Sequence, residues 1–482
     1  MMLVATAWTC CSNTSTFRVQ PVRFCIVACL LLLLGHTLAA APCDSLKVVI
    51  DAIRMEGNET TKEKVLLFEL NMAVGDTLDS ASLEQRLEEN RRRLFNLRLF
   101  HEVGYTYTCE EGRVSVVYTM QERWYLYPLP VLTLADRNFN AWLDKKDLSR
   151  VDYGVNIIRR NFRGRNEEVR LRVQRGFNKR LELVYRVPYV SRSHKVGFDL
   201  GIADYRSRVI DYRTTNNRQR FFEQEQGLPI KRFSVSTGLI HRQSVQRQEG
   251  LRFSFVDEAV SDSVLLLNPE YFRQSVRERQ YMRIELSKVI NLRNSFIYPL
   301  TGSYFEAIAA QTLFIKNTGA PITTLRAKYV KYLKLPGKYY YSIGGEVQAR
   351  LSKRYAYADN VALGFRSLVR GYELNVVGGQ HFGLFKQGLT RELFQHEGIQ
   401  LKFIKSPKFN KVPLALYANA FTDAGYVADQ VFEQGNQLAN RLLLGGGIGL
   451  HMVTFYDFVF RAEYTVNREG NKGFYLSGRF PF

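Results

Sequence analysis

Residues that carry catalytic or metal chemistry are scarce in this 482-residue chain, and their spacing is wrong for it. None of the seven histidines falls in an H-E-x-x-H pattern or at a paired metal-binding spacing. The six cysteines include no C-x-x-C pair. No Ser-His-Asp grouping emerges from residue order, and no Gly-x-Ser-x-Gly lipase segment occupies the N-terminal part. The run Gly445 to Gly449 lacks the strand-then-helix context of a phosphate loop, and its glycines instead permit close approach of strands. The reading is a protein that is not an enzyme, with no cofactor and no metal. The chain does carry charge: 67 Lys+Arg against 46 Asp+Glu, a net +21. Most of these cations alternate with apolar residues along the chain.

The elements that must position those cations start after a secretory signal. Arg18 and Arg23 precede the apolar run Phe24 to Leu34, and Ala39 to Ala41 form a small-residue zone, so residues 1–40 read as a signal peptide cut near Ala40. Export argues against nucleic acid as the partner of the basic charge. Of the cysteines only Cys43 and Cys109 remain after the cut. An oxidising compartment permits a disulfide between them, and two buried or loop thiols are the alternative. The run of eleven apolar residues is far short of the ~20 that a spanning helix needs. A membrane-spanning form of the mature chain must therefore be a closed β-barrel.

Residues 46–122 read as a small β-α-α-β-β unit. Leu46 to Met55 is a strand. Thr60 and Thr61 are placed to cap a helix that runs to about Leu70, and Gly75-Asp76 ends it. Asp79 and Ser80 are placed to cap a second helix, in which Leu83, Leu87 and Leu94 recur at helical spacing. Phe100 to Cys109 and Arg113 to Glu122 form a hairpin around Glu110-Glu111-Gly112.

From Trp124 the pattern changes to alternation. Val169, Leu171 and Val173 alternate with Arg170, Arg172 and Gln174, and Leu325, Ala327 and Tyr329 with Arg326 and Lys328. A soluble sandwich also alternates. The segments here run about ten residues, the length of a tilted membrane strand. Their second face carries Arg, Lys, Glu and Gln, which suits a wet lumen rather than a core. Aromatic clusters at segment ends, such as Trp124-Tyr125-Tyr127 and Tyr339-Tyr340-Tyr341, fit interfacial girdles. The fold class is an all-β transmembrane barrel of about sixteen antiparallel strands over residues 124–482, preceded by the small α/β unit. Asp204–Pro229 and Ser352–Phe382 are expected as its long outer loops.

Several motifs then resemble one family. Residues 46–122 are similar to a POTRA domain. Gly364 to Glu373, GFRSLVRGYE, resembles the (V/I)RG(F/Y) signature of the BamA/TamA-like outer-membrane-protein assembly factor superfamily, also called the bacterial surface antigen family. YPLTGSYFEA at Tyr298 to Ala307, FTDAGYV at Phe421 to Val427 and the glycine-rich Leu443 to Met452 resemble its strands in the same order. The terminal aromatics Phe480 and Phe482 resemble the C-terminal strand signal. The resemblance implies that Val369, Arg370, Gly371 and Tyr372 belong to a loop folded back into the lumen, with Arg370 paired to a carboxylate, Asp423 or Glu397. A single POTRA is fewer than the full assembly factors carry.

The implied function is insertion, assembly or translocation of proteins at the bacterial outer membrane, with the POTRA in the periplasm capturing clients by β-augmentation. The expected partners are outer-membrane lipid, unfolded client proteins and periplasmic accessory proteins. A seam between first and last strands would open, weakened by glycines such as Gly445, Gly446, Gly447 and Gly473. The alternative is a passive pore or structural barrel.

Overall fold

The structure is a computed structural model that describes residues 46–134, 151–176, 178–188, 190, 195–224, 227–244, 246–316, 319–400, 411–454 and 458–479. The N-terminal unit holds strands β1 (Lys47–Glu56), β2 (Thr77–Asp79), β3 (Phe100–Glu110) and β4 (Arg113–Glu122), with helices α1 (Glu63–Glu69) and α2 (Ser80–Asn96). The sheet order is β2-β1-β4-β3, with β1 parallel to β4. Val48 and Ile50 of β1, Leu83, Leu87 and Leu94 of α2, and Val114, Val116 and Tyr118 of β4 make one buried core. The alternation of β1 and β4 and the helical spacing of α2 each present a single apolar face to it. Two local expectations fail. The three-residue β2 is too short to show alternation. Lys62, rather than a threonine, occupies the N-cap of α1, and no side chain caps that helix.

Thr61 is used elsewhere. Its hydroxyl and amide both donate to Glu122 Oε1, at 2.5 and 2.7 Å, and the Thr60 amide donates to Glu122 Oε2 at 3.1 Å. Asn161, at the end of a barrel strand, donates to the Thr61 hydroxyl at 2.8 Å. The Lys62 amide donates to the carbonyl of Gly164 in the following turn at 2.9 Å. Gly164 has φ +68°, and a Cβ there would lie 2.2 Å from the Thr60 carbonyl oxygen, so only glycine fits. Glu69 of α1 pairs at 3.3 Å with Arg242, both almost fully buried, and Phe296 packs on the core of the N-terminal unit. The unit is thus docked on three separate barrel turns. Tyr125, read from sequence as a girdle residue, is buried in this same core and donates to the Leu99 carbonyl at 3.1 Å.

The rest of the described chain is a sixteen-stranded antiparallel sheet. Its strands are β5 (Leu126–Leu134), β6 (Val151–Phe162), β7 (Glu167–Gly176), β8 (Asn178–Val187), β9 (Val196–Ser207), β12 (Ile230–Ser244), β13 (Arg247–Val260), β14 (Glu278–Asn291), β15 (Gly302–Lys316), β16 (Ile322–Leu335), β17 (Tyr339–Leu351), β18 (His381–Gln400), β19 (Lys411–Ala428), β20 (Leu442–Thr454), β21 (Phe458–Asn467) and β22 (Lys472–Arg479). Each pairs with its sequence neighbour. The exception is the step from β9 to β12, across which β10 (Val209–Thr215) and β11 (Arg218–Glu223) form a separate hairpin. That hairpin lies within the long outer loop expected over Asp204–Pro229. With a short helix α3 (Asp262–Leu267), it builds an apolar cluster of Ile210, Ile230, Val260, Val264, Tyr271 and Phe272 on the side away from the N-terminal unit.

The sheet curls on itself. Phe458 of β21 packs against Tyr127 and Ile158 of β5 and β6. Among the described residues no backbone ladder joins β5 to β22. The outer face is apolar and exposed, as at Leu181, Leu183, Leu325, Val347, Phe474 and Leu476. The inner face pairs its cations with acids, as in Arg252–Asp199 at 3.0 Å and Arg326–Glu346 at 2.6 Å. This is a transmembrane β-barrel with a polar interior. Among the described residues no helix is long and apolar enough to cross a membrane.

Replacing Glu122 by Ala leaves the Thr60 and Thr61 donors without their buried acceptor, a loss of about 2 kcal/mol. E122A in detergent is expected to speed tryptic cleavage after Arg123 by tenfold or more. Wild-type cleavage kinetics would contradict the docking.

Candidate functional site

The loop between β17 and β18, residues 352–380, starts on the side away from the N-terminal unit and turns into the lumen. Leu363 and Val377 form an isolated antiparallel bridge that folds it into a hairpin. At its tip, Val369 and Tyr372 are buried in a cluster with Leu363 of the loop and with Phe382, Leu384, Val427 and Leu443 from the wall. This apolar contact sets the depth of the tip. The charge contact sets its position.

Arg370 meets Asp423 of β19 with both arms of its fork. Nη2 donates to Oδ1 at 2.6 Å and Nε to Oδ2 at 2.9 Å, while the Arg370 backbone amide adds a third bond to Oδ2 at 3.1 Å. The ring of Phe421 lies under the guanidinium, 3.6 Å from centroid to Cζ. Phe421 and Asp423 are two residues apart on one strand, so they share a face. The F-x-D spacing therefore supplies both the ring and the carboxylate that hold one arginine. The Asp423 side chain has no solvent exposure. Lys386, opposite it on β18, approaches at 3.3 Å. Glu463 of β21 comes within 3.5 Å of Arg370 Nη1 and 3.4 Å of His451 Nε2. His451 Nδ1 in turn lies 2.9 Å from the Tyr298 hydroxyl.

Backbone geometry makes room for this clasp. Gly371 has φ +94°, and its carbonyl accepts from Asn467 Nδ2 at 2.8 Å. A Cβ on Gly445 of β20 would sit 1.8 Å from the Arg370 carbonyl oxygen, so the glycine-rich strand is shaped to the loop lying on it. The Tyr372 hydroxyl bonds Glu469 in the turn beyond β21. A second tie holds the start of the loop with the charges reversed. Asp359 of the loop pairs at 3.0 Å with Arg279 of β14, which also binds Glu258 of β13 at 2.7 Å.

The structure therefore brings together Val369, Arg370, Gly371, Tyr372 and Asp423. It does not bring Glu397 to them. Glu397 lies eleven residues along β18 from Lys386, the residue opposite Asp423, which is roughly 35 Å of strand. The nearer second carboxylate, Glu463, escaped the sequence reading, as did Lys386 and the Asp359–Arg279 tie. A signal for Glu463 was present: it is the lone acid of FVFRAEYTVN, on the same face as Arg461 and Thr465 in an alternating strand. Cys109 is disulfide-bonded, and Cys43 lies outside the described residues. So do Phe480 and Phe482. Among the described residues no cluster of His, Cys, Asp or Glu could hold a metal ion.

One further feature sits at the seam. The Arg160 amide donates to the Tyr125 carbonyl at 2.8 Å, and the register pairs Leu126 with Arg159 and continues stepwise. By the two-residue alternation of an antiparallel ladder, residues 127, 129 and 131 face β6, and 128 and 130 face the free edge. Those two are Pro128 and Pro130, which have no amide hydrogen. The first strand presents its free edge with two donors missing.

A membrane-spanning sheet of this size, closed around a clasped inward loop with an α/β unit docked at one mouth, defines a class of outer-membrane barrel. The chain belongs to the Omp85 superfamily: a family model described as the Omp85 superfamily domain matches residues 161–478. A POTRA model, described as the surface antigen variable number repeat, matches residues 48–123. Among solved structures, the chain is similar to BamA from Haemophilus ducreyi lacking POTRA domains 1–3, at 15% identity and TM-score 0.51, over 89% of this chain and 84% of that one. It is also similar to CdiB from Escherichia coli, at 13% identity and TM-score 0.52, over 90% and 75%. At these identities the likeness is one of fold. No curated protein matches the chain.

Arg370→Lys keeps the charge and loses the fork. Arg370→Ala leaves Asp423 buried beside Lys386 alone, and breaking a buried pair from one side costs about 3–5 kcal/mol. Both variants are expected to lower the temperature at which the barrel loses its compact, heat-modifiable form on gels, Ala more than Lys. Equal wild-type behaviour would show that the clasp is not structural.

Proposed function

We propose that this protein works in the bacterial outer membrane, where it assists insertion, assembly or translocation of other proteins and is not an enzyme. In this reading residues 1–40 are removed as a signal peptide. Residues 46–122 stand in the periplasm, and residues 124–482 span the membrane. Cys109 pairs with Cys43, the one other cysteine left after the cut. The observation that carries the functional reading is the seam. A barrel without edges is the stable end state of a membrane sheet. Here the free edge of β5 lacks two donors and, among the described residues, no ladder joins it to β22. Apolar contact through Phe458 holds the ends together instead. Such a junction parts at lower cost than any other in the sheet, and parting it exposes strand edges to a client segment.

The N-terminal unit supports the same reading. Its outer strand β3 runs eleven residues and pairs on one side with β4. An extended client can add to such an edge by β-augmentation. The clients are unfolded outer-membrane or secreted chains, and periplasmic accessory proteins and outer-membrane lipid are the remaining partners.

Restoring the donors with Pro128→Val and Pro130→Val is expected to tighten the seam. The double variant should raise the barrel's melting temperature and reduce protein assembly several-fold. Depletion of the wild-type protein, followed by quantitative outer-membrane proteomics, should lower at least one other barrel or secreted protein twofold or more. Unchanged levels of all of them would overturn the assignment.

A further inference from the structure

The outer wall carries a feature that insertion does not use. On the lipid-facing side of β12 to β17 there is a concavity of about 900 Å³. Its floor includes Ala307, Ala309, Ala327 and Ala349, and exposed Leu286 and Val347 stand beside it. At one end is a charged row. His241, Glu249 and Lys288 are direct cross-strand neighbours on β12, β13 and β14. Lys288 Nζ lies 3.0 Å from Glu249 Oε1, and His241 Nδ1 lies 3.7 Å from Oε2. All three side chains are about half exposed. Arg247, two residues before Glu249, shares its face.

Position and charge together indicate the occupant. The row lies two to three residues from the strand ends that face the N-terminal unit. On the outer surface of a barrel that is the interfacial zone, where a charge is tolerated far better than at the midplane. Across the same register the row continues through Ala307, Ala327 and Val347, with Val196 at its other end, so the charges are confined to three adjacent strands beside the concavity. Cations of Arg247 and Lys288 flank one carboxylate. That arrangement suits a headgroup carrying a phosphate and a primary ammonium, with apolar chains long enough to lie along the alanine floor.

We propose that this concavity is a binding site for an aminophospholipid. The phosphate rests on Lys288 and Arg247, the ammonium on Glu249, and the acyl chains over Ala307, Ala327 and Ala349. The proposal rests on the transmembrane reading of the barrel. The site lies on the sixth to eleventh strands, the wall opposite the seam, so a retained lipid would brace the half of the barrel that stays closed.

The test is native mass spectrometry of the full chain in detergent, incubated separately with dioleoyl phosphatidylethanolamine, phosphatidylglycerol and phosphatidylcholine. Phosphatidylethanolamine adducts are expected at least fivefold above the other two. Ala309→Phe, which fills the floor, and Glu249→Gln with Lys288→Gln, which removes the charge pair, should each abolish that preference while the barrel keeps its heat-modifiable migration. Equal retention of the three lipids, an unchanged preference in Ala309→Phe, or a second protein chain in place of lipid would overturn the site. Failure of the wild-type chain to form a heat-modifiable barrel would overturn the transmembrane reading and the site with it.

Discussion

Every backbone amide and carbonyl that enters hydrocarbon must find a partner within the protein, and this requirement organises the whole molecule. It explains why a strongly basic chain alternates its cations with leucines and valines. One face of each strand meets lipid and the other meets water. The cations are tolerated because the inner face gathers acids beside them, as at Asp199, Glu258, Glu346 and Asp423. It also makes the seam the informative place. Two prolines on the free edge of the first strand relax the requirement where the sheet must close on itself.

The inward loop follows from the same constraint. A long excursion into a polar lumen has no apolar core of its own to hold it. It is fixed by a bidentate arginine over an aromatic ring, a small apolar cluster at its tip, and a second ion pair of opposite sense at its start. The wall is shaped in return, with Gly445 leaving space for the Arg370 carbonyl. The clasp reaches β18, β19 and β21 and comes close to the last strand. The docked N-terminal unit grips turns beyond β6, β12 and β14. Both anchors lie away from the junction of β5 with β22, where the described residues form no backbone ladder and Phe458 packs across the gap.

Much of this was legible in the sequence, for identifiable reasons. Period-two alternation with charged inner positions survives in nearly every strand, so the wet interior could be read, and the length of residues 124–482 set the strand number at about sixteen. Arg370 and Asp423 were readable as partners through the family's motifs. Glu397 was misread as a second candidate because position along a strand depends on register, and register is set by pairings that one sequence does not display. Glu463 and the Asp359–Arg279 tie were hidden for the same reason, since their members are about 80–90 residues apart in the chain. Tyr125 and Thr61 looked like a girdle and a helix cap. Both serve instead in the junction between the two parts of the chain, a tertiary contact that overrides local pattern. The meaning of Pro128 and Pro130 depends on which neighbour each amide position faces, and only the ladder shows that.

In the proposed reading the β5–β22 junction is the weakest line of the sheet. Hydrogen exchange of the full chain in lipid nanodiscs measures it directly, because amide protection reports the free energy of local opening. Amides of β5 and β22 are expected to exchange at least a hundredfold faster than those of β14 to β17. Equal protection on both sides of the barrel would rule out a weak seam.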